Sequence, residues 1–194
     1  MDDPLVIHPL DAGRLADHLH FFDHDAFADN PRWASCYCHF LHADHDARDW
    51  NSRDAAENRA AIIPLVEQRR YRGYLAYRGG KPIGWCHAGP KALTPALLDS
   101  PADADPRIGA IGCFVVAKPW RGQGVARALL ARALADFAAQ GFAWAEAFPQ
   151  REAAGEAANH WGPLTMYLAA GFEIVDERPD GGLTVRKRLA EAGC

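Results

Sequence analysis

The chain has 194 residues, 49% of them hydrophobic, and a formal net charge of -4, enough apolar material to build one well-packed core as one domain over residues 1–194. The mild acidity gives no support to nucleic-acid binding, which wants a basic patch, and no apolar run approaches the roughly 18 residues that span a bilayer. The start MDDPLVIHPL lacks the charged and apolar blocks of a signal peptide, and the scattered cysteines Cys36, Cys38, Cys86, Cys113 and Cys194 do not resemble a disulfide framework. The expectation is a cytoplasmic protein whose cysteines are thiols, with neither nucleic acid nor membrane as partner.

Leu5 to Leu10 is a short apolar segment that reads as an edge strand with Pro9 near its end. Asp11 is placed to cap a helix running to about Phe27, with Leu15, Leu19 and Phe22 on one face. Asn30 to Trp50, NPRWASCYCHFLHADHDARDW, reads as loop and packs Cys, His and Trp close together. A second helix is predicted from Asn51 or Ser52 past Ile62, with Pro64 kinking or breaking it before Val66 and Arg69. Tyr74 to Tyr77, Gly79-Gly80 and Ile83 to His87 predict a β-hairpin, since a Gly-Gly pair between apolar runs is a strong turn signal. The Pro-rich connection from Gly89 to Pro106, with a short helix around Ala92 to Leu98, is long enough to wall an active site.

The stretch from Ile111 to Leu134, IGCFVVAKPWRGQGVARALLARAL, carries the most chemistry. Cys113 to Val116 suits a buried strand, and Ala117-Lys118-Pro119-Trp120 suits a turn. Gly122 and Gly124 then open a helix whose Val125, Leu129, Leu130, Ala133, Leu134 and Phe137 share one face. The first N–H groups of a helix lack internal partners and lie at the positive end of its dipole, so such a junction holds anions. The ligand is expected to carry phosphate, with close backbone approach at Gly122 and Gly124 and a cation at Arg121. A dinucleotide fingerprint fits less well. Gly122-x-Gly124 imitates its start and Glu146 stands about where a ribose-binding acid belongs, but Arg127 occupies the third glycine position and five residues separate Val116 from Gly122. A P-loop lacks its Gly-Lys-Ser/Thr. Phe142 to Phe148 follows as a strand closed by Pro149, and Gln150 to Ala158 as loop. Leu164 to Ala170 is a short helix stopped by Gly171, and Phe172 to Glu177 with Leu183 to Arg188 is a hairpin across Pro179-Asp180-Gly181-Gly182.

RGQGVA, from Arg121, resembles the R/Q-x-x-G-x-G/A loop of the GNAT superfamily of acyl-CoA-dependent N-acyltransferases. MYLAAGF, from Met166 to Phe172, resembles that family's second hallmark, a tyrosine-bearing helix ending in Gly-Phe. GWCHAGP, VVAKPWRGQGVA and EAFP together are similar to an incompletely characterised bacterial branch of it. The resemblance covers about Tyr74 to Arg188. It implies a mixed α/β (α+β) fold with a central, mostly antiparallel, splayed sheet flanked by helices, an acceptor-side part over about 1–70 and an acyl-CoA-binding core over about 71–190. It implies acetyl-CoA as co-substrate, with its pyrophosphate on the amides of Arg121, Gly122, Gln123, Gly124, Val125 and Ala126. The pantetheine arm would follow Phe114, Val115 and Val116, where a bulge splays the sheet, and the thioester would lie near Cys113 and Phe114 with a backbone N–H polarising its carbonyl. A homodimer is a further expectation of the family.

Tyr167 occupies the family's general-acid position, and a phenol of pKa about 10 is reasonably matched to a thiolate of about 8.5. The competing reading is a core tyrosine with a satisfied hydroxyl. Glu146 and His87 are the candidate bases, since a carboxylate can act through water and a histidine titrates near neutrality; an Arg-paired Glu146 and a satisfied rim His87 are the structural alternatives. The resemblance also implies that the region between the first helices walls the acceptor pocket, so Trp33, Tyr37 and His39 are expected to contact the acceptor. Cys36, Cys38, His39, His42 and His45 would suit zinc by residue type, but Cys-x-Cys is not the usual Cys-x-x-Cys knuckle and no second pair sits at the expected distance, so no metal is expected. Cys113 as an acyl-carrying nucleophile competes with a buried, inert thiol. The resulting reading is an N-acetyltransferase acting on a primary amine of a small molecule or peptide, with a non-catalytic acyl-CoA sensor or interaction module as the alternative.

Overall fold

The computed structural model describes residues 3–98, 100, 103–152, 155 and 157–189; Cys194 lies outside them. Seven strands run β1 (Val6–Pro9), β2 (Gly73–Arg78), β3 (Lys81–Pro90), β4 (Ile108–Val116), β5 (Trp144–Ala147), β6 (Glu173–Glu177) and β7 (Leu183–Arg188), with α1 (Leu15–His24), α2 (Ala55–Glu67), α3 (Val125–Ala139) and α4 (Leu164–Ala169) between them. The strands form one sheet in the order β1-β2-β3-β4-β5-β7-β6. Among the described residues only β4 and β5 pair in parallel, because α3 carries the chain across between them instead of a tight turn. This is the mixed, mostly antiparallel, helix-flanked sheet that the sequence implies.

Strand alternation divides the core into two layers. Ile111 and Phe114 of β4 pack with Leu129 and Phe137 of α3 and Tyr167 of α4 on one side. Ala110, Cys113 and Val115 pack on the other side with Phe22 of α1, Ile62 of α2 and Trp85 of β3. Among the described residues no helix is long and apolar enough to cross a membrane.

Local chemistry explains most element boundaries. The β2–β3 turn has Gly79 and Gly80 at φ 54° and 74°, the two left-handed positions that make a Gly-Gly pair suitable. Gly171 closes α4 at φ 83°, with the Phe172 N–H reaching back to the Tyr167 carbonyl at 3.0 Å. Four features differ from expectation. Asp11 caps a 3-10 turn, Ala12–Arg14, and α1 follows only from Leu15 and stops at His24. Asn51 and Ser52 also belong to a 3-10 turn; α2 starts at Ala55 because Asp54 and Glu57 form a reciprocal capping box. Pro64 does not break α2, since buried Ile62 and Val66 hold the last turn against the core. The segment around Ala92 to Leu98 forms two 3-10 turns, Lys91–Leu93 and Pro95–Leu97, divided where Pro95 offers no N–H.

The feature that positions the site is a bulge in β4. His87 faces Cys113 and Ala88 faces Ile111, so Gly112 is an extra residue. β4 pairs with β5 only from Ile108 to Ile111; beyond the bulge it keeps β3 on one flank and an opening on the other. A Cβ at Gly112 would lie 2.6 Å from Leu41 Cδ1 and 3.1 Å from His87 Nδ1, so any side chain there would have to push Leu41 aside.

Candidate functional site

The opening beside β4 borders a cavity of about 730 Å³, within the usual range for small-molecule and cofactor sites. Phe114, Val115 and Val116 line one wall; Arg121, Gly122, Gly124, Val125 and Ala126 line the end where α3 begins. Gln123 is the one expected cofactor contact that does not line it. Its side chain turns back to the Pro119 carbonyl at 2.9 Å and braces the loop.

The free edge of β4 offers backbone groups to this space. Ala117 donates its N–H to Ile83 of β3 at 3.0 Å, so alternation turns the backbone groups of Val116 and Phe114 towards the opening. Gly122 and Gly124 have φ 73° and 81°, and a Cβ built on either meets nothing within 4 Å. The loop is therefore bent by glycine-only conformations under open space. Ala128 makes the first helical bond of α3, to the Gly124 carbonyl at 3.0 Å; the amides before it belong to the helix N-terminus and are suited to phosphate oxygens.

Arg121 is not a free cation over the loop. Its Nη1 and Nη2 lie 2.6 and 3.0 Å from Asp29 Oδ2 and Oδ1, and its Nε donates to the Val116 carbonyl at 3.0 Å. The guanidinium's hydrogen bonds hold the Asp29 carboxyl below its usual range. Arg121 thus joins the chain after α1 to the start of the loop. Asp29 carries no sequence signal, lying 92 positions from its partner.

Tyr167 is fully buried, and its hydroxyl donates to the Trp161 carbonyl at 2.6 Å. Burial pushes its pKa well up, so the phenol stays protonated. Its ring centroid is 6.4 Å from that of Phe114, beside the cavity wall.

The two candidate bases sit on the other face of the sheet. Glu146 is buried and held from both sides: Arg186 Nε donates to Oε1 at 2.8 Å, Arg186 Nη2 meets the same oxygen, and Lys91 Nζ is 2.9 Å from Oε2. Glu146→Gln is expected to keep the shape and leave two cations facing an amide. Because the Arg186 side chain is 37% exposed, the loss should be about 2 kcal/mol, less than the about 3–5 of a fully buried pair. A urea midpoint lowered at unchanged slope would show it.

His87 lies beside the bulge. Its Nε2 is 2.9 Å from His42 Nε2, and its buried Nδ1 has no partner among the described residues. Burial, then the neighbouring His42 and His18, push its pKa well down.

Of the expected acceptor contacts, Trp33 lines the cavity and meets His160 edge-on, 4.7 Å between ring centroids. Tyr37 and His39 point into the core instead. Tyr37 Oη donates to Asp23 Oδ1 at 2.6 Å, and burial with that bond pushes its pKa up to about 12. His39 Nδ1 is 2.9 Å from Asn58 Oδ1. Among the described residues, no group of three or more His, Cys, Asp or Glu side chains gathers as a metal site.

A sequence profile described as the acetyltransferase (GNAT) family matches residues 30–161. Solved structures similar to the chain include the ribosomal-protein-S18-alanine N-acetyltransferase from Escherichia coli, at 14% identity over 98% of this chain and 97% of that one, with a TM-score of 0.56. YncA from Salmonella typhimurium, whose structure holds its cofactor acetyl-CoA, is 17% identical over 98% and 96%, at 0.59. PaiA N-acetyltransferase from Thermoplasma acidophilum, in complex with coenzyme A, is 12% identical over 95% and 99%, at 0.58. These identities speak to fold. No curated protein matches the chain in sequence.

Proposed function

Because the chain belongs to the acetyltransferase (GNAT) family, we propose that it moves an acetyl group from acetyl-CoA to a primary amine by direct attack on the thioester. One observation supports this most: a single cavity is bordered both by the open glycine loop at the start of α3 and by the strand edge that β4 frees after Gly112. Two phosphates and an extended amide-bearing arm are what such a pair of surfaces accommodates. In this reading the amides of the loop from Arg121 to Ala126 hold the pyrophosphate, and Phe114 and the N–H of Val116, whose carbonyl Arg121 holds, pair with the arm. The thioester carbonyl then lies at the bulge, near a backbone N–H that steadies the oxyanion.

The amine nitrogen attacks the carbonyl carbon, the C–S bond breaks, the nitrogen loses a proton and the sulfur gains one. Tyr167, in the α3 and α4 layer, is the proposed acid; it gives up its bond to the Trp161 carbonyl to reach the thiolate. His87 is the better placed base. It lies in the opposite layer with an Nδ1 at the bulge that has no partner among the described residues, while both oxygens of Glu146 are held by cations. Trp33 and His160 belong to the acceptor side, and a cytoplasmic setting and a homodimer are part of the same proposal.

A thiol-release assay with acetyl-CoA and a panel of amines tests this. The panel should include peptides with N-terminal alanine, after the name of the E. coli enzyme. Tyr167→Phe is expected to lower kcat about 100-fold with acetyl-CoA affinity within twofold of wild type. Leaving the Trp161 carbonyl unpaired costs about 1 kcal/mol, so the variant stays folded; a wild-type kcat would remove Tyr167 from the chemistry. Acetyl-CoA binding with no thiol release for any amine would favour the sensor instead.

A further inference from the structure

Acetyl transfer makes no use of a buried thiol pair on the acceptor side. Cys38 Sγ lies 3.1 Å from Cys113 Sγ across 75 positions of sequence, and both are free and buried. The loop between α1 and α2 is bent to bring them together. Tyr37 and Cys38 have φ 47° and 50° in succession, a left-handed conformation that residues with a Cβ resist. Buried bonds hold it: the Tyr37 carbonyl accepts from Tyr71 Oη at 3.0 Å, and the Ser35 carbonyl accepts from Asn58 Nδ2 at 2.9 Å. Strain that the surroundings maintain at one point suggests that the placement there matters. Leu41, on the same loop, rests against Gly112 of the bulge.

We infer that Cys38 and Cys113 are a modification site, a dithiol that a peroxide converts reversibly to a disulfide, pinning residues 36–42 onto β4 beside the bulge. Because burial pushes the Cys38 thiol well up, the sulfur of Cys113, the more exposed of the two, attacks as thiolate the O–O bond of hydrogen peroxide and becomes a sulfenic acid, with water leaving. The second sulfur displaces the hydroxyl as water and forms the S–S bond. Two thiols give up two protons and two electrons, and the peroxide becomes two waters. A peroxide is the suitable oxidant because it is small enough to enter a buried site that bulky disulfides do not reach. With the bond in place Leu41 cannot lift from Gly112, and the amine is kept from the thioester position. The cross-link stands apart from the transfer reading; its effect on turnover rests on that reading.

Hydrogen peroxide added to the full chain, followed by trypsin without reductant and mass spectrometry, is expected to join fragment 33–48 to fragment 108–121 with the loss of two hydrogens. Further cleavage after Tyr37 separates Cys36 from Cys38 in the wild-type chain, so the partner of Cys113 is read without any substitution. Oxidation should lower turnover at least about tenfold, reversed by dithiothreitol, with acetyl-CoA affinity within twofold. Absence of the cross-link, or a bond from Cys113 to Cys36, overturns the site. Full turnover with the Cys38–Cys113 bond in place overturns the clamp. A cross-link in a chain that releases no thiol in either state upholds the site and counts against the transfer reading.

Discussion

Gly124→Val is expected to weaken acetyl-CoA binding at least about 1000-fold, a loss of about 4 kcal/mol, in a protein that still folds. Gly124 stands at φ 81° as the residue before α3. A β-branched side chain there is strained by its backbone, and its methyl groups enter the open space over the loop that the pyrophosphate is proposed to fill. The strain removes about 1–3 kcal/mol from a stability that for ordinary domains is about 5–15 kcal/mol. Gly80→Val is the control. Gly80 has φ 74° and equally open surroundings, but it turns the β2–β3 hairpin and does not line the cavity. It should lose similar stability and keep its affinity. Calorimetric titration of both variants reads the difference, and equal affinity in the two would take the loop out of the site.

Acidification from pH 6.5 towards pH 4 is expected to destabilise the protein steeply. His18, His42 and His87 lie close together in the α1/α2 layer: His42 meets His87, and the Tyr71 hydroxyl is 3.3 Å from His18 Nε2. The Tyr71 ring centroid lies 5.2 Å from that of His42 and 5.6 Å from that of His87. Burial is the main cause that lowers each, His18 to about 3, His42 to about 4 and His87 well below its usual value. The native state keeps them neutral while the unfolded chain protonates them as the pH falls through 6.5. The unfolded state then binds more protons, so stability rises with pH across this window and is lost on acidification. Above 6.5 the three contribute nothing to the pH dependence. Each contributes a slope of about 1.4 kcal/mol per pH unit, together up to about 4. Urea midpoints measured from pH 7 to 4.5 should fall accordingly, and His18→Leu should shallow the fall by about a third. A midpoint flat over that range would show that these histidines are hydrated in the native state.

What was readable in sequence was what neighbours along the chain decide. The Gly79-Gly80 turn, the glycine loop, the apolar face of α3 and the Gly171 stop each depend on a few consecutive residues, and each stands where expected. The α2 start moved by one turn because two residue types, Asp54 and Glu57, form a cap that outweighs Ser52. The rest depends on distant segments meeting. Nothing near Arg121 announces Asp29, and although an arginine partner is the sequence's structural alternative for Glu146, nothing there singles out Arg186 or adds Lys91 on the second oxygen. Gly112 looks like any strand glycine until Leu41 and His87 arrive on either side of it. The resemblance puts Tyr37 and His39 at the acceptor because the family's segment between the first helices walls that pocket; Asp23 and Asn58 draw them inward instead. The glycine pattern of the loop points to a phosphate-bearing ligand, whereas acceptor chemistry is written in contacts that only the folded chain brings together.

In the proposed function the cavity beside β4 is a cradle for acyl-CoA. Isothermal titration of the full chain with acetyl-CoA, and separately with NAD, tests this most directly. One acetyl-CoA per chain, bound far more tightly than NAD and lost in Gly124→Val, is the predicted result. NAD bound more tightly than acetyl-CoA would contradict it.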